Sequence, residues 1–293
     1  MTSAPMNDGN GAYPAMFEED SSLPAHVVYR PRNLSSLKGR KLPVYIWGNG
    51  GCSADGTSSR NHLVEIASHG YLVVAAGTIP KGPPHAAPAA PPPPAADTPS
   101  RPAGPLPAAT PTASLREALD WVVRENARRG SQYQGRIATD RIAVSGWSCG
   151  GLQALNVASD PRVKTAVIMN SGFFNGGGSQ ISGIESDKAS LARLHTPILY
   201  ILGGPTDIAY ENGMDDFKRI SAVPTAVVNI PVGHGGTYFE ANGGLAAQIA
   251  ISWLDWQLKG DRAAASRFIG PNCAYCSDSR FTMERKNLKV ASK

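Results

Sequence analysis

IAVSGWSCGGL, residues 142–152, joins a strand signal to a helix signal through a serine turn. Ile142–Ser145 is a short apolar, β-branched run of the kind that forms a strand buried on both faces. Gly146-Trp147-Ser148-Cys149-Gly150 follows with G-x-S-x-G spacing, and a helical pattern takes over across Gly151–Ser159. A serine on so tight a strand-to-helix turn has its hydroxyl lifted clear of the sheet, and its neighbours must be small, which accounts for the flanking glycines. The helix that begins beneath it aims its dipole and free N–H groups at developing negative charge. Ser148 is therefore expected to be a nucleophile.

Similar runs recur on both sides. Val44–Trp47, Leu72–Ala76, Ala166–Met169, Ile198–Leu202 and Ala226–Ile230 are each about 4–6 residues long and mostly lack polar alternation, as buried parallel strands do. Helix signals lie between them. Asn61–His69 puts Leu63, Ile66 and Ala67 on one face and stops at Gly70. Ser114 and Glu117 have capping-box spacing ahead of Leu115, Leu119, Val122 and Val123. Leu245, Ile249, Trp253 and Trp256 form a last apolar stripe, expected to pack on the core. This alternation predicts an α/β fold: a doubly wound, mostly parallel sheet flanked by helices. Ala12–Glu18 and His26–Arg30 are expected as leading antiparallel strands.

A chain of 293 residues can bury one sizeable core, and a single domain over 1–293 is expected, its core spanning about residues 12–260. Pro80–Pro111 holds more than half of the 24 prolines, interleaved with Ala, and reads as an unstructured or polyproline-like surface insert. Residues 261–293 read as a cysteine-containing tail. The net charge of +5 is mild, and Lys and Arg are scattered apart from Arg285–Lys293, so no nucleic-acid partner is expected. No apolar stretch is long enough for a membrane span. Met1–Gly11 is polar and lacks the regions of a signal peptide, which leaves a cytoplasmic protein or a secreted one written without its signal; Cys273 and Cys276 favour the second.

A serine needs a base to take its proton. Of six histidines, His234 alone follows the last of the strand signals, in Val232-Gly233-His234-Gly235-Gly236; His26, His62, His69, His85 and His195 sit where structural or solvated roles are expected. The acid should lie between serine and histidine in the chain, and Asp207, in the turn after Ile198–Leu202, fits. Asp215 and Asp216 are the fallbacks for this acid, but they fall in the helical pattern Asn212–Arg219, where a solvated face is expected. The oxyanion hole needs two backbone donors. Cys149 supplies one, and Trp47-Gly48-Asn49-Gly50-Gly51-Cys52 the other, with Gly51 the first choice and Cys52 the second. Trp147, Phe173, Phe174, Tyr210 and Tyr238 are candidate substrate-binding aromatics. The connection Asn170–Thr196 is too short for a large lid. Cys273 and Cys276 are close enough in sequence to bridge, and convergence of the two loops on Ser148 would bring Cys52 within range of Cys149, where two small buried thiols are the alternative. No metal-ligand spacing is present, and neither metal nor cofactor is expected.

From Val44 to Leu258 the order of glycine loop, helix, strand, serine elbow, Asp and His resembles the α/β-hydrolase superfamily. Within it, Gly146-Trp147-Ser148-Cys149-Gly150-Gly151 and EIASHGYLVVAAG, residues 65–77, are similar to the bacterial cutinase-like and polyester-hydrolase group and to its dienelactone-hydrolase and acetylhydrolase relatives. The resemblance implies the α/β-hydrolase fold and acyl-hydrolase chemistry on a small-molecule or polymeric ester. Two features depart from the pattern: Cys149 stands where polyester hydrolases usually have Met, and the Pro/Ala insert is foreign to them. A cofactor-free serine carboxylic-ester hydrolase is the expected function. An amidase or peptidase with the same triad, or a non-catalytic binding protein on this fold, are the alternatives.

Overall fold

Alternate residues of one strand show how the chain folds. Val44 and Ile46 enter one buried cluster and Tyr45 and Trp47 another, so the strand that carries them is covered on both faces. The computed structural model describes residues 7–81 and 106–289. In chain order the strands are β1 (Ala15–Glu19), β2 (His26–Pro31), β3 (Leu42–Gly48), β4 (Leu72–Ala76), β5 (Leu106–Pro107), β6 (Ile137–Trp147), β7 (Val163–Met169), β8 (Ile181–Ser182), β9 (Ile198–Leu202), β10 (Thr225–Asn229) and β11 (Thr282–Lys286). The helices are α1 (Arg60–Ser68), α2 (Ala113–Ala127), α3 (Cys149–Val157), α4 (Tyr210–Arg219), α5 (Gly244–Lys259) and α6 (Arg262–Ala265).

Nine strands form one sheet in the order β1-β2-β4-β3-β6-β7-β9-β10-β11. Its centre, from β4 to β10, is parallel, and β1, β2 and β11 run antiparallel to their neighbours. Helices α2, α3 and α4 cover the face of Val44 and Ile46, and α1 and α5 cover the other. This is the α/β-hydrolase fold. The loops after β3, β6, β9 and β10 meet at the carboxyl edge, the usual place for a site in a parallel sheet. Among the described residues no large lid covers that edge, and no helix is long and apolar enough to cross a membrane.

Three local expectations are corrected. The capping box does not form, because α2 begins at Ala113 and takes Ser114 into its first turn; Thr112 occupies the cap position without a side-chain bond. The tail is more than a tail: Thr282–Lys286 pairs with β10 as a ninth strand. The insert read as unstructured over 80–111 lies outside the described residues at 82–105, but 106–111 is ordered. There β5 pairs in parallel with β8, and the Ala109 and Thr110 N–H groups donate to the Cys52 carbonyl.

All four cysteines are bonded. Cys52 joins Cys149 with Cα atoms 5.3 Å apart across a sequence separation of 97, and Cys273 joins Cys276 at a separation of 3. Loop-closure entropy makes these bonds unequal. Thiol counting on denatured, unreduced protein is expected to find none. Replacing Cys52 and Cys149 with serine should cost roughly 4–5 kcal/mol and lower the melting temperature by about 10 °C, whereas replacing the Cys273/Cys276 pair should cost about 2 kcal/mol and lower it by about 4 °C. Equal effects would refute this ranking.

His62 on α1 is fully buried, its Nε2 3.2 Å from the Tyr45 hydroxyl, and burial pushes its imidazole down to about 3. Between about pH 6.5 and 3 the unfolded chain binds a proton there that the folded chain refuses, so stability falls with acid across that window. From pH 6.5 to 4.5 the loss should be about 2 kcal/mol, or roughly 5 °C in melting temperature. Melting curves of His62→Gln should be correspondingly flatter with pH; parallel curves would clear His62 of the effect.

Candidate active site

Ser148 stands between the end of β6 and the start of α3 with φ 55° and ψ −119°, a conformation that non-glycine residues rarely adopt. Close backbone approach holds it there. A Cβ on Gly146 would lie 2.2 Å from the Gly150 oxygen, and one on Gly150 would lie 1.9 Å from the Gly48 oxygen, so neither position admits a side chain. The Ser148 N–H donates to the Met169 carbonyl (3.0 Å), and the Ser171 hydroxyl donates to the Ser148 carbonyl (2.7 Å). The strained turn is thus over-determined from both neighbouring loops.

The loops after β9 and β10 bring Asp207 and His234 to this serine. His234 Nε2 is 2.9 Å from Ser148 Oγ, and its Nδ1 is 2.6 Å from Asp207 Oδ1. With the ring proton on Nδ1, the imidazole donates to the carboxylate and accepts from the serine. The two loops are tied to one another by the Gly233 N–H, which donates to the Gly203 carbonyl (2.9 Å). Trp147 Nε1 donates to the His234 carbonyl (2.9 Å), with its ring 6.1 Å from the imidazole.

Asp207 is buried, which alone would raise its carboxyl. Hydrogen bonds outweigh burial and hold it below the usual carboxylate range: from His234, from the Ala209 and Gly203 N–H groups (2.9 Å each) and from Asn170 Nδ2 (2.7 Å). Sequence reasoning missed Asn170. It is fixed in turn by its Nδ2 bond to the Gly233 carbonyl (3.1 Å) and by the Tyr238 hydroxyl, which donates to its Oδ1. A lone asparagine after a strand carries no spacing signal. Its left-handed φ of 45° is visible only in the fold.

The residues proposed for the oxyanion hole divide. Cys149 opens α3, where the first N–H groups have no intrahelical partner. Cys52, by contrast, already donates its N–H to the Asn49 carbonyl (3.0 Å), which leaves Gly51 as the candidate of that loop. Gly51 itself has φ 62°.

An open cleft of about 340 Å³ runs past Ser148 and His234, walled by Leu152, Phe174, Ile181 and Ile208 with Asn175, Gln180 and Asn212 among them. Ile208 is 80% exposed at its rim. Only Phe174 of the five aromatic candidates lines this cleft. Phe173 and Tyr238 are core residues, Tyr210 packs against the core from the start of α4, and Trp147 backs His234. Asp216 is also corrected: it is buried rather than on a solvated face. Burial raises it to about 6 against the pull of Lys188 (2.8 Å), and it accepts from the Phe173 N–H (2.8 Å). It therefore anchors the cleft wall and stands apart from His234. Among the described residues no cluster of three side chains could hold a metal ion.

No curated protein matches the chain. Residues 104–176 match the family model described as PETase: PET hydrolase-like. They carry α2, β6, Ser148, α3 and β7. The match supports an ester hydrolase in general and agrees with the polyester-hydrolase resemblance of the elbow sequence. The chain is an α/β-hydrolase-fold protein, similar through its serine elbow to the PET hydrolase-like family.

Proposed function

We propose that this protein is a serine carboxylic-ester hydrolase that works through an acyl-enzyme. One observation carries the reading: Ser148, His234 and Asp207 form a continuous hydrogen-bonded chain that opens on a cleft left open among the described residues. Ser148 Oγ attacks the ester carbonyl as its proton passes to His234 Nε2, and Asp207 stabilises the imidazolium without taking the proton. The Gly51 and Cys149 N–H groups receive the charge that develops on the carbonyl oxygen. The alcohol leaves with the proton from Nε2, and a water activated by the same nitrogen releases the acid.

The open cleft among the described residues and the similarity over residues 104–176 favour an accessible or polymeric ester. Two bonded cysteine pairs favour secretion or a periplasmic location. The test is a panel of p-nitrophenyl esters of rising chain length, beside a feruloyl ester, an acetylated sugar and an aryl polyester film, with a matched anilide. Turnover of esters over the anilide is expected. Anilide turnover at a comparable rate would favour an amidase, and no turnover with any member would favour a binding protein.

A further inference from the structure

The loop that would supply the oxyanion donor is held by residues outside the triad. Gly51 and Cys52 both have left-handed φ, 62° and 47°, and Cys52 is not glycine, so its backbone keeps that angle only under restraint. Its disulfide to Cys149 restrains the side chain but leaves the carbonyl free to turn. The carbonyl is fixed from elsewhere. It accepts from the Ala109 N–H (3.0 Å), the Thr110 N–H (2.9 Å) and the Thr110 hydroxyl (3.0 Å). The Thr110 carbonyl accepts in turn from Gln153 Nε2 (2.7 Å), and Gln153 is a fully buried residue of α3, the helix that starts after Ser148.

Resting on the ester-hydrolase reading above, we infer that Thr110 is a positioning residue that clasps the oxyanion loop, through the Cys52 carbonyl, to the helix that follows the nucleophile. The clasp and the disulfide act on different parts of one residue, the carbonyl and the side chain, and together they set the register between Gly51 and Cys149. Donors held in advance stabilise charge that exists only in the transition state, so loosening the clasp should slow the chemical step and leave ground-state binding unchanged.

Thr110→Val keeps the branched shape and both backbone donors and removes the hydroxyl alone; Thr110→Ser restores it. The readouts are kcat and KM on a p-nitrophenyl ester, the rate of Ser148 modification by a fluorophosphonate, and the melting temperature. Thr110→Val is expected to lower kcat and the phosphonylation rate by about fivefold to tenfold with KM within about twofold, and Thr110→Ser to stay within about twofold of the parent. Gln153→Met should act in the same direction, and the double variant should be little worse than the worse single one. The inference is overturned if Thr110→Val leaves kcat within about twofold, if its effect falls only on KM or melting temperature, or if Thr110→Ser is no better. Should Thr110→Val not fold, Gln153→Met makes the same comparison, and a loss of less than about twofold overturns it. A parent that reacts with the fluorophosphonate but turns over no ester would defeat the ester reading, while the phosphonylation rates still judge Thr110. A parent inert to both would defeat the two together.

Discussion

Ser148→Ala or His234→Ala is expected to lower kcat by on the order of 10⁶, with the double variant losing about as much as either alone. The 2.9 Å contact between Nε2 and Oγ makes them one device: without the base the hydroxyl keeps its proton, and without the hydroxyl the base has nothing to activate. Neither substitution should unfold the chain, since the His234 side chain is partly exposed and the Ser148 turn is held by its N–H and carbonyl bonds. Steady-state rates on the best ester of the panel, with circular dichroism as control, check this. Losses that multiply in the double variant would refute the shared role.

Asp207→Asn is expected to lower kcat by about 10⁴. Each hydrogen bond at this carboxylate is one that it accepts: His234 and the Ala209 N–H at Oδ1, Asn170 Nδ2 and the Gly203 N–H at Oδ2. An amide in its place must turn its NH₂ toward one of these donor pairs. Facing His234, it forces the ring proton to Nε2, and the imidazole can no longer accept from Ser148. Facing Asn170 and Gly203, it leaves buried donors without an acceptor. In the native protein the depressed carboxyl adds stability above the unfolded carboxylate range, and this is lost as pH falls through its folded value. The stability of Asp207→Asn should therefore vary less with pH at the acid end. A kcat loss below about tenfold would remove Asp207 from the assigned role.

The central sheet is legible in sequence through apolar runs buried on both faces: Ile198–Leu202 matches the observed strand at both ends, whereas β6 begins five residues ahead of Ile142–Ser145, concealed by Thr139, Asp140 and Arg141. Strand β11 was not legible. Its residues, TMERK, are mostly charged, and it becomes a strand only because β10 offers an open edge. Ser148, His234 and Asp207 could be placed by chain order and turn chemistry, and the structure brings the three together. The walls of the cleft could not, since an aromatic near the site in sequence points outward or inward according to packing. Phe173 and Phe174 are adjacent, yet one is core and the other lines the cleft. Thr110 lay beyond reach for a related reason: its partners, Cys52 and Gln153, are 58 and 43 residues away, and it sits at the end of a segment whose prolines argued against order.

The charge on β11 bears on how copies of this chain behave toward one another. A sheet that ended at β10 would offer the row TAVVN, with open N–H and C=O groups, to any passing strand. Thr282–Lys286 occupies that row with a mostly charged strand, in which Glu284 is exposed and Arg285 folds back to donate to the Phe268 carbonyl. At the opposite margin β1 ends in Glu18, paired with Arg30, and the exposed Glu19. A charged edge strand of this kind hinders edge-to-edge pairing between sheets, which constrains the composition of β11 even though it lies far from the serine.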